Sequence, residues 1–201
     1  MNKQFVLASS NAGKLREFSE MLAKQGIDLL PQSAFSVSDA DETGLTFVEN
    51  AILKARHASQ ATGLPALADD SGLEVDALNG APGIYSARYS GEGANDAKNI
   101  DKLLDALKEV PEAQRTGRYQ CVLVYMRHSL DPTPLICQAS WEGVVLTERR
   151  GEGGFGYDPI FYIPELNSAV AELNADTKHQ YGHRGKAMRA FFEQLPHYLP
   201  A

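Results

Sequence analysis

The chain has 201 residues, a formal net charge of -7, a pI near 5.2 and 43% hydrophobic residues. This length and composition are those of an ordinary globular domain, so we expect a single domain over residues 1–201. General nucleic-acid binders carry a basic surface, and the acidic balance therefore excludes DNA and RNA as expected partners. The N-terminus lacks a signal-peptide pattern, and no apolar run approaches the ~20 residues of a membrane span. We expect a cytoplasmic protein without membrane contact.

Predicted strands and helices alternate in the first half of the chain. Apolar residues spaced three and four apart indicate amphipathic helices, and short apolar runs indicate buried strands. Thr46 followed by Glu49 has the spacing of a capping box, which places the start of a helix there. The predicted strands lie at 5–8, 27–30 and 64–68, and the predicted helices at 14–24, 46–62 and 95–110.

Strand-like runs dominate the second half. They lie at 119–127, 135–141 and 144–147, before a last helix at 185–195. The two cysteines, Cys121 and Cys137, lie in or beside these runs and are expected to be buried, reduced thiols. Helix–strand units followed by successive strands predict an α/β fold with a mixed central sheet, which could divide into two lobes around a cleft.

The segment 64–91 carries the strongest chemical signal. Its apolar run ends in two carboxylates, Asp69 and Asp70, and Ser71 and Gly72 follow at once. A strand that delivers paired acids into a glycine turn can hold Mg²⁺, which often uses one or two carboxylates together with substrate phosphates. Neighbouring strand residues point to opposite faces, so the two acids are expected to differ in role. An ordinary turn is the alternative for these four residues alone.

The turn between the first predicted strand and helix is a second candidate site. Free backbone N–H groups and the positive end of a helix attract anions, a glycine lets the backbone come close, and a lysine adds charge. The turn is not a Walker A loop, because Leu15 stands where a metal-binding hydroxyl would be required. A plain turn with an exposed lysine is the alternative. The residues are Ser9, Ser10, Asn11, Ala12, Gly13 and Lys14.

An acidic loop and the helix after it supply a third group. Glu42 lies in the loop, and Asn50 and Lys54 share one face of the helix because they are four residues apart. This face lies opposite the apolar one. A solvated helix face is the alternative for Asn50 and Lys54.

Two further groups lie near the C-terminus. In the glycine-rich stretch 151–159, Phe155 stands between glycines and could stack on a planar ring, although a glycine hairpin with core aromatics is the alternative. Lys178, His183 and Arg184 belong to a basic cluster just before the last predicted helix. Cations are electrostatically disfavoured near a helix N-terminus, so a bound ligand explains this cluster better than a solvated helix start.

These five groups, in this order, resemble the non-canonical purine nucleoside triphosphate pyrophosphatases, also called the inosine triphosphate pyrophosphatase or Ham1-like family. The resemblance runs from residue 5 to about 195 and is closest to the bacterial branch. Its most specific blocks are ADDSGLEVDALNGAPGIYSARYSG, GFGYDPIF and HRGKA, with support from TFVENAILKA. It implies a Mg²⁺-dependent hydrolase that converts the triphosphates ITP, dITP and XTP to monophosphate and pyrophosphate, cleaning the nucleotide pool. It also implies a homodimer and an elongated α/β structure with two lobes around an active-site cleft.

The resemblance assigns roles to single residues. Asp70 matches the catalytic acid, described as proton acceptor and metal ligand, and Glu42 matches a second acid of the metal site. The turn from Ser9 to Lys14 matches the phosphate-binding turn, and Lys54 matches a contact to the triphosphate. The remaining substrate-binding positions are Ser71, Phe155, Gly156, Tyr157, Asp158, Lys178, His183 and Arg184.

Two of the matched blocks depart from the family pattern. Ser9 and Ser10 stand where threonine and glycine are usual, so the backbone of the first turn can differ. Gly182 stands where a serine is usual before His183 and Arg184, which removes a hydroxyl contact.

The expected reaction is attack of water at the α-phosphorus, because this releases pyrophosphate in one step. Mg²⁺ held by Asp70 and Glu42 would bridge phosphate oxygens, Asp70 would take the proton of the water, and Lys14 and Lys54 would neutralise the departing pyrophosphate.

Base selection is expected at the C-terminal groups. Arg184 and His183 can donate to the 6-oxo group of inosine or xanthosine while Phe155 stacks on the ring, whereas the 6-amino group of adenine would leave these donors unpaired. Three alternatives stay open from the residues. They are a Maf-like pyrophosphatase for modified pyrimidine nucleotides, a metal-dependent phosphatase that releases orthophosphate, and a nucleotide-binding regulator without turnover.

Overall fold

The computed structural model describes residues 3–199, and the chain divides into two compact units. The first unit takes in the chain up to Asp70, Val122–Gln138 and the chain from Ala187 onward. The second unit comprises Ser71–Cys121 and Ala139–Lys186. No helix in the described part of the chain has the length and apolar character that a membrane span requires.

The described residues contain a seven-stranded sheet. Its strands are β1 (Lys3–Leu7), β2 (Ile27–Pro31), β3 (Ala66–Val75), β4 (Thr116–Met126), β5 (Leu135–Val145), β6 (Phe161–Ile163) and β7 (Ser168–Ala169). The strand order is β2-β1-β3-β4-β5-β6-β7. β1 pairs in parallel with β2 and β3, while β6 pairs antiparallel with β5 and β7. The predicted α/β class with a mixed sheet is therefore confirmed.

Residues 3–199 also contain five α-helices: α1 (Ala12–Ala23), α2 (Phe47–Thr62), α3 (Asp96–Ala106), α4 (Ala175–Tyr181) and α5 (His183–Gln194). The first four begin after a residue whose side chain accepts a hydrogen bond from a backbone N–H three residues later, which satisfies one of the donors left free at a helix start. These residues are Asn11, Thr46, Asn95 and Asn174. The helix start predicted at Thr46 is confirmed, and the Glu49 side chain reaches back to it by accepting from the Thr46 hydroxyl at 2.8 Å and from the N–H of Leu45 at 2.9 Å.

Each unit has its own apolar core. In the first, the rings of Phe5 and Phe191 pack on Tyr125, with ring centroids 4.7 and 5.9 Å away. In the second, the apolar stripe of α3, including Ile100 and Leu103, joins aromatic and aliphatic side chains from four strands. Both cysteines are buried thiols outside any disulfide, as predicted.

The strand that carries the acid pair is longer than predicted. We expected it to end at residue 68 and to deliver Asp69 and Asp70 into a turn, and this is wrong. β3 continues through Asp69, Asp70, Ser71 and Gly72 to Val75. It lies between β1 and β4 in the sheet, so both of its edges find hydrogen-bonding partners. This pairing outweighs the low strand propensity of Asp, Ser and Gly.

The second half also differs from the prediction in several elements, including β6 and β7, which were not predicted. The strands predicted at 135–141 and 144–147 are one strand, β5. α4 was not predicted, because its seven residues are too short to show a helical period. α5 begins at His183, two residues earlier than predicted, so His183 and Arg184 lie inside the last helix rather than before it.

Candidate active site

The turn between β1 and α1 is fixed by its own polar side chains. The Asn11 side chain accepts from the backbone N–H of Lys14 at 3.0 Å, and the Ser9 hydroxyl accepts from the N–H of Asn11 at 3.2 Å. Ser10 donates to Asp39 at 2.7 Å. Ser10 does not adopt a positive φ, so this position does not require the usual glycine. Ala12 and Gly13 are the first two residues of α1, as a strand-to-helix turn requires.

Two lysines pair with the neighbouring acids of β3. Lys14 forms an ion pair with Asp69, while Lys54 Nζ lies 2.6 Å from Asp70 Oδ1 and 2.9 Å from Glu42 Oε1. We call these five residues the acid–lysine cluster, and all of them belong to the first unit. Asp69 and Asp70 contact different lysines, as the alternation of strand side chains predicts.

Burial shapes the protonation of this cluster. Burial raises the pKa of the Asp70 carboxyl, and the ammonium groups of Lys54 and Lys14 offset this only in part. Burial alone would lower the pKa of Lys54, but the carboxylates of Asp70 and Glu42 outweigh it and the pKa is raised. Lys54 therefore stays a cation, while Asp70 becomes a better proton acceptor than an exposed aspartate.

The loop that carries Glu42 is held by the first turn of α2. The fully buried Asn50 accepts from the N–H of Gly44 at 2.8 Å, and Glu49 accepts from the N–H of Leu45 at 2.9 Å. A Cβ atom at Gly44 would lie only 2.7 Å from Asn50 Oδ1. Asn50, which the sequence places on the same helix face as Lys54, thus fastens the acidic loop to the helix.

The acid–lysine cluster suits Mg²⁺. Asp70 Oδ2 is buried and accepts no hydrogen bond within residues 3–199, so this oxygen has capacity for a cation. Its other oxygen and Glu42 Oε1 already share one cationic neighbour, Lys54 Nζ. No group of three or more His, Cys, Asp or Glu side chains that could hold a metal occurs in the described part of the chain. Two carboxylates, completed by substrate phosphates, are a usual donor set for Mg²⁺.

A second group of predicted residues assembles in the second unit. Asp158 is 3% exposed and its carboxylate accepts three hydrogen bonds, from Lys178 Nζ at 2.7 Å, the N–H of Phe155 at 3.0 Å and the Tyr119 hydroxyl at 3.0 Å. The positively charged Lys178 Nζ also lies 4.6 Å from the centre of the Phe155 ring. The carboxylate therefore holds both a cation and the glycine-rich turn in place.

Arg184 and His183 complete this group, although both are buried. Arg184 donates to the Ser71 hydroxyl at 3.1 Å, and its guanidinium lies 5.7 Å from the centre of the Phe155 ring. The imidazole of His183 stacks on the ring of Tyr119, with centroids 4.7 Å apart and planes at 18°. We call the predicted residues of this group the recognition cluster: Ser71, Phe155, Asp158, Lys178, His183 and Arg184.

The remaining predicted residues have structural contacts. Tyr157 belongs to the apolar core of the second unit, and its hydroxyl donates to the carbonyl of Ser86 at 2.8 Å. The N–H of Gly156 donates to Asp96 at 2.7 Å. At Gly182, a Cβ atom would lie 2.5 Å from the carbonyl oxygen of Lys178, so the end of α4 is tight where the family usually has serine.

Tyr119 and Trp141 were missed as neighbours of the candidate site. In the sequence they lie in strand-like runs, where alternation indicates only that they face a core. Their contacts with His183 depend on how β4, β5 and α5 pack, and the sequence pattern carries no signal of it.

Nearly the whole sequence is similar to one family of known proteins. A sequence profile of the Ham1 family matches residues 5–194. A dITP/XTP pyrophosphatase from Vibrio parahaemolyticus is 61% identical over 193 residues, which make up 96% of each chain. A protein of the same name from Shigella flexneri is 58% identical over 96% of this chain and 98% of its own.

Solved structures agree with this result. A HAM1 protein from Coxiella burnetii has a TM-score of 0.89 and 50% identity, covering 97% of this chain and 99% of its own. The Ham1 protein of Staphylococcus aureus has a TM-score of 0.85 and 39% identity, covering 98% of this chain and 100% of its own.

Proposed function

Because the chain belongs to the Ham1 family, we propose that it hydrolyses ITP, dITP and XTP to the corresponding monophosphate and pyrophosphate. The acid–lysine cluster carries this proposal. Two carboxylates that share one lysine, beside a helix start with a second lysine, suit a polyphosphate better than any neutral substrate. The names of the close relatives support the choice of substrates.

The lysines act on the phosphate chain. Lys14 and Lys54 offset the negative charge that develops on the pyrophosphate as the bond between the α-phosphorus and its bridging oxygen breaks. The N–H groups at the start of α1 bind a phosphate oxygen, since the helix start attracts anions. Bound Mg²⁺, held by Asp70 and Glu42, would neutralise phosphate charge and make a bound water more acidic.

Asp70 acts on the water. Its carboxylate orients the water for attack at the α-phosphorus and takes the proton that the water loses as the new bond forms. The raised pKa of this carboxyl suits a proton acceptor. Glu42 then assists through the metal site rather than as a second base.

The recognition cluster reads the base. Arg184 and Lys178 carry hydrogen-bond donors only and His183 can donate, so these side chains match the 6-oxo group of hypoxanthine or xanthine and conflict with the 6-amino group of adenine. Phe155 offers a ring on which the base stacks. Ser71 supports Arg184 through its hydroxyl.

A product assay tests the function. The purified protein is given ITP, XTP, ATP and a modified pyrimidine triphosphate, with separate readouts for pyrophosphate and orthophosphate. We expect pyrophosphate from ITP and XTP, with ATP strongly disfavoured. Orthophosphate as the first product, preference for the pyrimidine, or no turnover in Mg²⁺ would each contradict the proposal and favour one of the three alternatives.

A matched pair of variants tests the role of Asp70. Asp70→Asn keeps the shape but loses the charge, and we expect kcat to fall at least ~100-fold, the scale of a positioned acid–base group. Asp105→Asn makes the same change at an exposed carboxylate of α3 and should leave kcat unchanged. Near wild-type turnover of Asp70→Asn at saturating Mg²⁺ would contradict the assignment.

The proposal includes a homodimer acting in the cytoplasm with Mg²⁺ as its cofactor. These three statements rest on the family resemblance. Light scattering of the purified protein tests the first, and titration of a chelator against Mg²⁺ during turnover tests the last.

A further inference from the structure

One buried side chain, Tyr119, contacts two members of the recognition cluster. Its hydroxyl donates to Asp158 Oδ1 at 3.0 Å, and its ring stacks on the imidazole of His183. The ring also packs edge-on against Phe161, with centroids 4.7 Å apart, which fixes its orientation from a second side. Tyr119 lies within β4, and a side chain carried by a strand is positioned more precisely than one carried by a loop.

The hydrogen bond from the Tyr119 hydroxyl fixes the orientation of the whole Asp158 carboxylate. Asp158 Oδ2 accepts from Lys178 Nζ and from the N–H of Phe155, while Oδ1 accepts from Tyr119. A bond to Oδ1 therefore sets the rotation of the carboxylate, and with it the positions of Lys178 and Phe155. The fit is close, since a Cβ atom at Gly154 would lie 2.0 Å from Asp158 Oδ2.

Tyr119 remains a donor over the working pH range. Burial raises the pKa of Tyr119 well above its usual value, and the neighbouring Asp158 carboxylate raises it further. The phenol therefore keeps its proton and donates to the carboxylate, which itself can only accept when ionised.

The ring of Tyr119 also constrains the orientation of His183. The imidazole lies nearly parallel to Tyr119 at 18° and to Trp141 at 28°, with centroid distances of 4.7 and 6.5 Å. Two flat neighbours restrict the plane of the imidazole, and hence the directions in which its nitrogens can form hydrogen bonds.

We propose that Tyr119 is the positioning residue of the recognition cluster, and that its hydroxyl and ring together set the preference of the protein for a 6-oxo over a 6-amino purine. This rests on the proposed function. Tyr119 does not touch the base itself; it acts through Asp158 on Lys178 and Phe155, and directly on His183.

A change in base preference distinguishes a positioning role of Tyr119 from a role in core packing alone, and it can be measured by binding. The test compares calorimetric binding of inosine monophosphate (IMP) and adenosine monophosphate (AMP) to wild type and Tyr119→Phe, which keeps the ring and loses the hydroxyl. We expect IMP binding to weaken about 5- to 30-fold, the factor that one or two kcal/mol represents, with AMP binding changed less than about threefold. The fluorescence emission of Trp141, the single tryptophan, reports on the same region, because its ring lies beside the imidazole of His183.

Tyr162→Phe is the matched control. It removes the hydroxyl of a half-buried residue of β6 in the same unit, which donates to Asn167 at 2.6 Å at an exposed site. We expect unchanged binding of IMP and AMP. An unchanged ratio of IMP to AMP affinity in Tyr119→Phe would overturn the inference, even if its thermal stability falls.

A double-mutant cycle with Lys178→Met tests the route through Asp158. If Tyr119 acts by holding Lys178, adding Tyr119→Phe to Lys178→Met should weaken IMP binding much less than it does in wild type. Additive losses would overturn this route.

Failure of the inference differs from failure of the proposed function. Wild type that neither hydrolyses ITP nor prefers IMP overturns both. Wild type that releases pyrophosphate from ITP and prefers IMP, while Tyr119→Phe keeps the same preference, overturns only the role of Tyr119.

Discussion

A methyl group at position 185 would enter space that a backbone carbonyl already occupies. Gly185 lies in the first turn of α5, and an ideal Cβ atom there would be 1.7 Å from the carbonyl oxygen of His179 and 2.7 Å from its carbonyl carbon. Because non-bonded heavy atoms prefer separations of about 3.5 Å, the carbonyl would have to retreat by roughly 2 Å. Gly185 is therefore required by close approach of α4 and α5, not by an unusual backbone conformation.

Two effects of opposite sign decide the stability of Gly185→Ala. Alanine is favoured over glycine inside a helix by about 1 kcal/mol. Overpacking typically costs about 1–3 kcal/mol, and here the obstacle is backbone rather than a flexible side chain, so we take about 3. The net expectation is a loss of about 2 kcal/mol, which lowers the Tm by roughly 4–8 °C for a chain of this size.

Thermal unfolding followed by circular dichroism measures this effect, and Ala190→Gly in the same helix calibrates it. That control makes the reverse exchange at a half-buried position, and it should destabilise by about 1 kcal/mol from helix propensity alone. Gly185→Ala should also raise the KM for ITP, since His183 and Arg184 precede it in the same turn. A Tm equal to or above wild type would refute the packing argument.

Charged side chains elsewhere give three more expected outcomes. Lys54→Ala should weaken binding of a non-hydrolysable ITP analogue at least about tenfold more than binding of IMP, because Lys54 is assigned to the departing pyrophosphate, which IMP lacks. Equal losses of affinity for the two nucleotides in calorimetry would contradict this assignment. Arg184→Ala should narrow the ITP/ATP ratio of kcat/KM chiefly by losing ITP activity, and an unchanged ratio would remove Arg184 from base reading. Asp131 is buried, and its bidentate hydrogen bonds from Arg127, at 2.8 and 2.5 Å, hold its pKa well below the usual range. The pair thus stabilises the fold above pH ~4, and this contribution is lost as the pH falls through the lowered folded-state pKa. The Tm gap between wild type and Arg127→Met should therefore be widest near pH 7 and close on acidification; a gap constant down to pH 2 would contradict this.

Local rules predicted the starts of α2 and α3 well. Thr46 and Glu49 lie three residues apart, so their hydrogen bonds form wherever the chain turns into a helix, and the sequence alone identifies them. The cap of α1 is equally local, since Asn11 accepts from an N–H three residues later, but the helix begins at Ala12, two residues before the predicted start. Such contacts depend on a few backbone dihedrals only.

Strand lengths were predicted less well because neighbouring strands decide them. The sequence Asp69-Asp70-Ser71-Gly72 is typical of a turn, and only pairing of β3 on both sides keeps it extended. The roles proposed for Glu42, Asp70 and the recognition cluster came from motif order and family resemblance. They remain predictions until the variants described above are measured.

The sequence by itself determined the fold class, the starts of α2 and α3 and the groups of residues from which a phosphate site and a base site can be built. These follow from periodicity, from capping patterns and from motifs that are continuous in the chain. Tertiary structure alone decided which of these residues meet. Tyr119 and Asp158 are 39 residues apart, and Ser71 and Arg184 are 113 apart. Such pairs form only because packed strands and helices bring distant segments of the chain together. Local conformational preferences act over a few residues and therefore cannot determine contacts between residues so far apart in the sequence.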